Sequence, residues 1–543
     1  MFKFIGNNIL GKDKEGDDVE SSQPPPPFTF EEKHGGDSYQ YPNLYEEADE
    51  MLQASLLIYS ITDLRSLAKD PKRKDKLKTY EKILDMPLSL STCLQVLEDN
   101  YDVMKECLGE ADHINTMNSL NMIHARFQKH LSLTSSTPPS PLVGSVSGGH
   151  IMRFNLFAST TSTSSDDGSV EIEEVAPMLT YFGDENSDSD MVYAVGIDQH
   201  RKRITVVFRG SVTSTDFQKD AMISLNRQPN PVKDIDANQH EKIGIHHGFY
   251  DYLLKPRKNG MNKYQEIMGH VQALFLQYDR QQNYKLYCTG HSLGGALATL
   301  FSLYVAAAAG SVVDDTSKAA SSIPTPVNCI SVASPRVGDS SFQSAFCRLE
   351  ERGLMRHLRI ANDRDPVTMM PSATGKKVWA TLSPISYLAF KLIDNKFEEK
   401  EKFYHTGVKL RLAKERFELA FMGESIVIDE QEKQQEQEQE EQSTITSTKL
   451  VVDDAPRSSG SSRSFRSILS KSTKLKSRDS SSTKSKNRDS FNQSQMPDVN
   501  FHLGNAYVEN LGSVKSDLLD LSLNDIYKTK AFPIYLEKDP NKQ

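Results

Sequence analysis

The chain has 543 residues, of which 37% are hydrophobic and 25% are charged, and its formal net charge is −9. This length allows two or three domains, and the negative charge argues against a general nucleic-acid-binding protein, because such proteins usually present a basic face. The five cysteines include no Cys-x-x-Cys pair, so the sequence predicts neither a disulfide framework nor a zinc site, and scattered thiols suit a reducing compartment.

Composition divides the chain before residue 177 into three segments. Residues 1–40 contain GKDKEGDD and PPPP and are predicted to be a disordered tail, because little of this stretch can be buried. Residues 41–131 repeat apolar residues at helical spacing, as in EEADEMLQASLLIYSI, and predict a helical segment with no chemistry of its own. Residues 132–176 are rich in Ser, Thr, Pro and Gly and predict a flexible linker.

Strands and helices alternate from residue 177 onwards. The runs DMVYAVGID, ITVVFRG, KLYCTG, VNCISVAS and LMRHLRIAND predict strands, and MNKYQEIMGHVQALFLQYD and GALATLFSLYVAAAA predict helices. This alternation predicts an α/β fold for residues 177–428, with a mostly parallel sheet covered on both faces. The apolar run 294–310 has 17 residues, fewer than the roughly 20 that cross a bilayer, so a core helix is expected.

The last part of the chain changes composition twice. Residues 429–497 open with an acidic Gln/Glu block, continue with a basic serine-rich run, and are predicted to be a disordered insertion. Helical spacing returns afterwards, so residues 498–543 are expected to complete the preceding domain. Residues 457–490 contain ten Lys and Arg against two Asp, which suits peripheral contact with an anionic membrane surface. A solvated linker is the alternative interpretation.

The motif with the clearest chemistry is Gly290-His291-Ser292-Leu293-Gly294, which fits Gly-x-Ser-x-Gly. It lies directly after a predicted strand and directly before an apolar helix, so the serine is expected on a sharp turn with its hydroxyl exposed at the sheet edge. The start of the helix favours the negative charge that develops during acyl transfer. Ser292 is therefore the candidate nucleophile.

A serine nucleophile needs a base and an acid that orients the base. In hydrolases of this kind the acid and then the histidine follow the serine along the chain. Asp363 and Asp365 both lie at the end of the strand LMRHLRIAND, and we choose Asp365. His405 in FYHTG and His502 in NFHLG both satisfy the chain order, so this rule leaves the base open between them.

Five motifs together resemble the class 3 lipase family. They are GHSLGGALA, ITVVFRGS, IHHGFYDYL, SVASPRVGDSSF and the strand end that carries Asp365. The resemblance covers residues 178–412 and 498–511. It implies an α/β hydrolase fold and a lipase that cleaves the carboxylic ester bonds of glycerolipids (triacylglycerol, diacylglycerol or phospholipid) through an acyl-enzyme, without a cofactor or a metal.

The resemblance also implies roles for individual residues. The family's histidine in the position of His405 is usually not the base, and the catalytic histidine comes later, in an element similar to His-Leu-x-x-Tyr, which implies His502. The family's Arg-Gly-Ser turn implies the backbone N–H of Ser211 as one oxyanion donor. The second donor is the N–H of Leu293, which follows the nucleophile.

The chain departs from the family pattern in two places. Tyr507 follows His502 by five residues, and Asp365 and His502 are 137 positions apart. The insertion 429–497 accounts for 69 of those positions. Doubling the length of a loop costs only about 0.6 kcal/mol, so the insertion does not prevent His502 from reaching Ser292.

The sequence leaves several further expectations. The adjacent His246 and His247 point to different faces of a strand, so no metal site is expected there. Residues 212–245 are either a lid or a connecting helix. The predicted partner is a glycerolipid at a membrane or lipid-droplet surface, without nucleic acid. A cytoplasmic location is expected because no signal peptide or transmembrane helix is recognised.

Two other functions are alternatives to a lipase. One is a non-lipid esterase or transacylase with the same triad, and the other is an inactive lipid-binding scaffold.

Overall fold

The computed structural model describes residues 41–109, 113–135, 177–185, 190–211, 224–233, 241–279, 283–310, 323–371, 402–421 and 498–529. The predicted tail (1–40) and the predicted insertion (429–497) lie outside these ranges. So does the predicted linker (132–176), except that its first four residues, 132–135, belong to a helix.

The helices begin and end as follows: α1 (Leu44–Lys69), α2 (Glu81–Leu84), α3 (Leu90–Asp99), α4 (Tyr101–Cys107), α5 (Ile114–Ser135), α6 (His247–Leu253), α7 (Lys263–Tyr278), α8 (Leu293–Gly310), α9 (Ser340–Glu351), α10 (Gly504–Ser513), α11 (Lys515–Leu518) and α12 (Leu523–Thr529). Single 3-10 turns occur at Lys74–Lys76, Val367–Met369 and Val499–His502.

The strands are β1 (Leu88–Ser89), β2 (Met178–Gly183), β3 (Tyr193–Asp198), β4 (Arg203–Phe208), β5 (Leu225–Pro229), β6 (Lys242–His246), β7 (Lys285–His291), β8 (Val327–Val332), β9 (Met355–Asn362), β10 (Val408–Ala413) and β11 (Arg416–Phe421).

In the described ranges nine strands form the main sheet, in the order β1-β2-β3-β4-β7-β8-β9-β10-β11. Strands β4, β7, β8, β9 and β10 run parallel to one another. The strands before β4 pair antiparallel, and so does β11 with β10. One hydrophobic cluster, with α7, α8 and α9, covers one face of this sheet, and a second cluster, with α1, α10 and α12, covers the other. The α/β hydrolase fold expected from the sequence is thereby confirmed.

Helix α8 follows the central strand β7 and lies in the core of the molecule. It is the one helix among the described residues that is long and apolar enough to cross a membrane, and 78% of it is buried inside the protein. It packs against β7 and β8, where its apolar surface is covered by the sheet. Helix α8 is therefore apolar because it is a core helix.

Helix α1 packs directly on the sheet, although it belongs to the N-terminal helical segment. Its Met51, Leu52 and Leu56 join the hydrophobic cluster that contains Ile330 and Leu358 of the central strands. The two-residue strand β1 of the same segment pairs with β2 at the edge of the sheet. The described part of the helical segment therefore shares a core with the strands, while the division of the chain into domains stays a prediction from composition.

A buried ion pair ties α1 to the sheet. Glu47 accepts a hydrogen bond from the Arg356 guanidinium at 2.8 Å and another from the Tyr287 hydroxyl at 2.8 Å. The side chains of Glu47 and Arg356 are both fully buried. A guanidinium in such a place depends on its carboxylate, because an unpaired buried charge is costly.

We expect Glu47→Ala to lower the free energy of unfolding by about 3–5 kcal/mol, since it leaves the buried charge of Arg356 without its carboxylate, with the neutral Asn328 oxygen still accepting from Arg356. Urea denaturation of the full chain measures this change. The control is Glu46→Ala, in the same helical turn at a half-buried position, which is expected to cost less than about 1 kcal/mol. Equal losses in the two variants would contradict the assignment.

Candidate active site

Ser292 lies alone between a strand and a helix. Strand β7 ends at His291, helix α8 begins at Leu293, and Ser292 takes a left-handed backbone conformation with φ 59°. A non-glycine residue in this region is strained, and such strain is found at nucleophiles held on a strand-to-helix turn. The sharp turn expected from the motif is therefore present.

The glycines on each side of Ser292 allow this turn to form. A Cβ atom at Gly290 would lie 2.4 Å from the backbone carbon of Gly294. A Cβ atom at Gly294 would lie 2.2 Å from the carbonyl oxygen of Phe208 at the end of β4. Any side chain at either position would push the helix away from the sheet.

The exposure expected for the nucleophile is not observed. Ser292 is only 4% exposed, whereas the motif predicted an open hydroxyl. Two segments close around it, since a Cβ atom at Gly210 would lie 3.2 Å from the Ser292 Cβ, and the His502 ring reaches the hydroxyl. A substrate carbonyl must therefore enter a nearly covered site.

The structure brings Ser292, His502 and Asp365 together. His502 Nε2 lies 3.0 Å from Ser292 Oγ, and His502 Nδ1 lies 3.0 Å from Asp365 Oδ2. Asp365 is 1% exposed, and its carboxylate also accepts hydrogen bonds from the Tyr507 hydroxyl at 2.6 Å and from the Val367 N–H at 2.8 Å. This is the geometry in which a carboxylate orients an imidazole toward a serine hydroxyl.

The competing histidine and aspartate lie elsewhere. His405 Nε2 is 2.7 Å from the carbonyl oxygen of Thr368, and burial together with the nearby Arg359 holds the pKa of His405 well below its usual value. The carboxylate of Asp363 accepts a hydrogen bond from Arg411 Nε at 3.0 Å. His405 is thus a neutral residue bonded to backbone, and Asp363 belongs to an ion pair.

The two predicted oxyanion donors lie in the segments that adjoin Ser292. Leu293 directly follows the nucleophile as the first residue of α8. Ser211 follows Gly210, in the turn after β4 that packs against the Ser292 side chain. Backbone N–H groups at a helix start and in a tight turn suit a developing oxyanion, because they are fixed before the reaction begins.

Residues 205–375 match the sequence model of the family described as Lipase (class 3). We call residues 205–375 the class 3 lipase region, after the family that they match. The match contains Ser211, Ser292 and Asp365, and it ends well before His502.

The chain is similar to plant phospholipases A1. Phospholipase A1-II 3 of Oryza sativa subsp. indica is 32% identical over 192 residues, which are 35% of this chain and 43% of the relative. Phospholipase A1-IIgamma of Arabidopsis thaliana is 31% identical over 178 residues, 32% of this chain and 39% of the relative. The chain thus spans about two fifths of the length of these relatives.

Solved structures of fungal lipases are also similar to this chain. A triacylglyceride lipase of Rhizomucor miehei has 22% sequence identity and a TM-score of 0.25, with 41% of this chain and 62% of that one covered. A triacylglycerol lipase from Penicillium expansum has 20% identity and a TM-score of 0.29, with 44% and 70% covered.

Two residues around the nucleophile of the class 3 lipase region have contacts that the sequence did not predict. The Tyr59 hydroxyl of α1 accepts a hydrogen bond from the Gly210 N–H at 3.1 Å and lies 3.3 Å from His291 Nδ1. His291 Nε2 lies 3.0 Å from the carbonyl oxygen of His502. Burial and the neighbouring His502 lower the pKa of His291 to about 3, so its imidazole is neutral at physiological pH.

Sequence reasoning missed Tyr59 because its signal is ordinary. A tyrosine on the apolar stripe of a helix usually indicates core packing, and the partner Gly210 is 151 positions away. His291 occupies the first x of the Gly-x-Ser-x-Gly motif. Any residue can stand there, so the motif gives no signal for it. Tyr507 was noticed only for its spacing from His502, not for the hydrogen bond that it donates to Asp365.

The adjacent histidines of the class 3 lipase region lie at the end of β6 and the start of α6. His246 is buried and stacks on Phe249 with ring centroids 4.3 Å apart, and burial together with His247 lowers the pKa of His246 to about 4. Within the part of the chain that the structure describes, no group of three or more His, Cys, Asp or Glu side chains is arranged to hold a metal ion.

The segment considered as a lid, residues 212–245, is described only in part. Residues 212–223 and 234–240 lie outside the described residues. The remaining parts contribute β5 and β6, which pair antiparallel. Leu225, the last residue of the predicted helix VTSTDFQKDAMISL, begins β5 instead. For residues 212–223 the choice between a lid and a connecting helix stays a prediction.

Proposed function

We propose that this protein is a serine acylhydrolase that cleaves carboxylic ester bonds of glycerolipids through an acyl-enzyme. The observation that carries the proposal is the pair of 3.0 Å contacts that join Ser292 Oγ to His502 and His502 to Asp365. Ser292 lies on a strand-to-helix turn inside the residues that match the class 3 lipase model. That combination supports attack by a serine on an ester carbonyl.

In the proposed mechanism Ser292 Oγ attacks the ester carbonyl while His502 Nε2 takes the hydroxyl proton. The N–H groups of Leu293 and Ser211 stabilise the oxyanion of the tetrahedral intermediate. When this intermediate collapses, His502 returns the proton to the departing glycerol oxygen, and the acyl group remains on Ser292. His502 then takes a proton from water, whose oxygen attacks the acyl-enzyme. When the second tetrahedral intermediate collapses, His502 returns this proton to Ser292 Oγ and the fatty acid leaves.

Asp365 orients the base in this mechanism and stabilises its charged form. The carboxylate faces His502 Nδ1, so the proton on Nδ1 is held there and Nε2 faces Ser292 as the acceptor. The hydrogen bonds from Tyr507 and Val367 hold the carboxylate in place. A fixed acid and a fixed base keep the reacting atoms in the geometry that the reaction needs.

The proposed substrate class is supported by the names of relatives. These include phospholipases A1 and a chloroplastic galactolipase of Arabidopsis thaliana that is 26% identical over 215 residues, 39% of this chain and 41% of the relative. These names refer to glycerolipids with different head groups. We propose a glycerolipid at a membrane or lipid-droplet surface as the substrate of this chain, and the cytoplasm as its location.

A lipid panel tests the proposal. The full-length protein is assayed on a triacylglycerol emulsion, a diacylglycerol dispersion, phosphatidylcholine vesicles and a short soluble ester, with Ser292→Ala in parallel. Release of fatty acid from at least one glycerolipid, and none from the variant, is the expected result. Turnover of the short ester alone would assign a non-lipid esterase instead, and no turnover of any substrate would favour an inactive scaffold.

The basic run 457–490, which lies outside the described residues, is proposed to provide peripheral contact with anionic membranes. A polybasic segment gains about 1 kcal/mol for each Lys or Arg near such a surface. Deletion of 457–490 is expected to reduce co-sedimentation with phosphatidylserine vesicles at low salt, with little change on phosphatidylcholine vesicles. Unchanged sedimentation with the anionic vesicles would overturn this part of the proposal.

A further inference from the structure

We infer that Tyr59 of helix α1 is a positioning residue. Through its hydrogen bonds to Gly210 and His291 it fixes the turn that carries Ser211 relative to the segment that carries His502. This inference rests on the proposed function. It gives the N-terminal helical segment, which the sequence left without chemistry, a part in the reaction centre.

The hydrogen bonds around Tyr59 have one consistent direction. The carbonyl oxygen of His502 only accepts, so His291 Nε2, 3.0 Å away, carries the ring proton and donates it. In the neutral ring Nδ1 is then the acceptor, and the Tyr59 hydroxyl donates to it across 3.3 Å. The Gly210 N–H donates in turn to the Tyr59 oxygen. Each polar group in this series has its partner.

The series joins two parts of the site that are far apart along the chain. One end is Gly210, whose neighbour Ser211 supplies the proposed oxyanion donor. The other end is the backbone carbonyl of His502, the proposed base. Because the same hydroxyl and the same imidazole connect both ends, a change at Tyr59 reaches the donor and the base together.

Water cannot easily take the place of the Tyr59 hydroxyl, because the site is buried and closely packed. Tyr59 is 1% exposed and His291 is fully buried. A Cβ atom at Gly210 would lie 2.3 Å from the Tyr59 oxygen and 2.5 Å from the carbonyl oxygen of His291. The turn therefore packs against the hydroxyl so closely that only glycine fits between them.

Helix α1 lies outside the span that matches the class 3 lipase family. That span begins at residue 205, whereas Tyr59 lies well inside α1, which begins at Leu44. A chain trimmed to the matched residues lacks this contact. The inference thus makes α1 a component of the active site as well as of the core.

The test compares Tyr59→Phe with Tyr527→Phe in the full-length protein. Tyr527 is a matched control, because it is 3% exposed and its hydroxyl accepts the backbone N–H of His357 at 2.8 Å. Like the Tyr59 hydroxyl it also donates to a side chain, here to Glu350 at 2.6 Å. Both variants remove one buried hydroxyl that serves a backbone group, and both are expected to lower the melting temperature. Only Tyr59 connects to the reaction centre.

Two activities are measured for each variant. One is the second-order rate constant for phosphonylation of Ser292 by a fluorophosphonate. The other is kcat for lipid hydrolysis, calculated per titrated serine. For Tyr59→Phe we expect both to fall about 10- to 100-fold with KM nearly unchanged, since the oxyanion donor and the base lose their fixed positions. For Tyr527→Phe both are expected to stay at the wild-type value.

The two readouts separate this inference from the proposed function. If the wild-type protein reacts with the fluorophosphonate but hydrolyses no glycerolipid, the proposed function fails, and the labelling rates still decide the role of Tyr59. Labelling of Tyr59→Phe at the wild-type rate overturns the inference, and so does an equal loss in Tyr527→Phe.

A double-mutant cycle adds a second check. His291→Gln keeps a donor near the position of Nε2 but removes the acceptor of the Tyr59 hydroxyl. On that background Tyr59→Phe is expected to slow labelling much less than it does in the wild-type protein, because the shared hydrogen bond is already lost. Independent, multiplicative effects of the two changes contradict a connected series.

Discussion

Ser292→Ala is expected to reduce ester hydrolysis by about 10⁴- to 10⁶-fold, because the variant lacks the oxygen that forms the acyl-enzyme. The rate that remains comes from the oxyanion donors and from substrate binding. Alanine is smaller than serine and keeps the same backbone, so the fold is expected to survive. Initial rates of fatty-acid release, measured with the best lipid of the panel, provide the comparison.

Ser334→Ala is the control for that experiment. Ser334 is a buried serine that follows β8, and its hydroxyl donates a hydrogen bond to the carbonyl oxygen of Pro335 at 2.9 Å. Its replacement is expected to leave the hydrolysis rate near the wild-type value. A Ser292→Ala protein that retained more than about a tenth of the activity would exclude Ser292 as the nucleophile.

The second large effect is expected for His502→Ala. Loss of the imidazole leaves Ser292 without a base, and the expected fall in kcat is again about 10⁴-fold or more. Asp365 then remains buried without the ring that it orients. Thermal unfolding is recorded together with the rate, so that a loss of catalysis can be distinguished from a loss of folded protein.

His405→Ala is the matched control for the base. Its ring is bonded to the carbonyl oxygen of Thr368, so the change leaves a buried acceptor unpaired and is expected to cost about 1–3 kcal/mol of stability. Hydrolysis per titrated serine is expected to remain within about tenfold of the wild type. Activity that survives in His502→Ala but disappears in His405→Ala would reverse the assignment.

The centre of the fold was predictable from local patterns. The five runs predicted as strands became β3, β4, β7, β8 and β9, and these are the buried strands of the sheet. The edge strand β1 and its neighbour β2 were not predicted. Strand β1 has only two residues, and every residue of β2 is half-buried, so neither shows the alternation that distinguishes a strand.

The site was predictable where a short motif imposes its own geometry. Two glycines and a serine at fixed spacing require a tight turn, and both glycines meet backbone atoms that leave no room for a side chain. The choice of His502 over His405 did not follow from spacing, since both histidines satisfy the chain order. It came from the family resemblance, and the contacts of both rings agree with it.

The remainder of the site depends on contacts between distant residues. Tyr59 and His291 are 232 positions apart, and Tyr507 meets Asp365 across 142 positions. A single sequence carries no local sign of such pairs, because a tyrosine on an apolar helix face looks the same with or without a buried partner. The near-complete burial of Ser292 escaped prediction for the same reason.

The most direct test of acyl transfer at Ser292 is to find the acyl group on the enzyme. The full-length protein is mixed with a rapidly acylating nitrophenyl ester, quenched within the first turnover, digested and examined by mass spectrometry. We expect the acyl group on the peptide that contains Ser292, and none on that peptide in His502→Ala. Turnover with the acyl group on another residue, or with no acylated peptide at all, would contradict the mechanism.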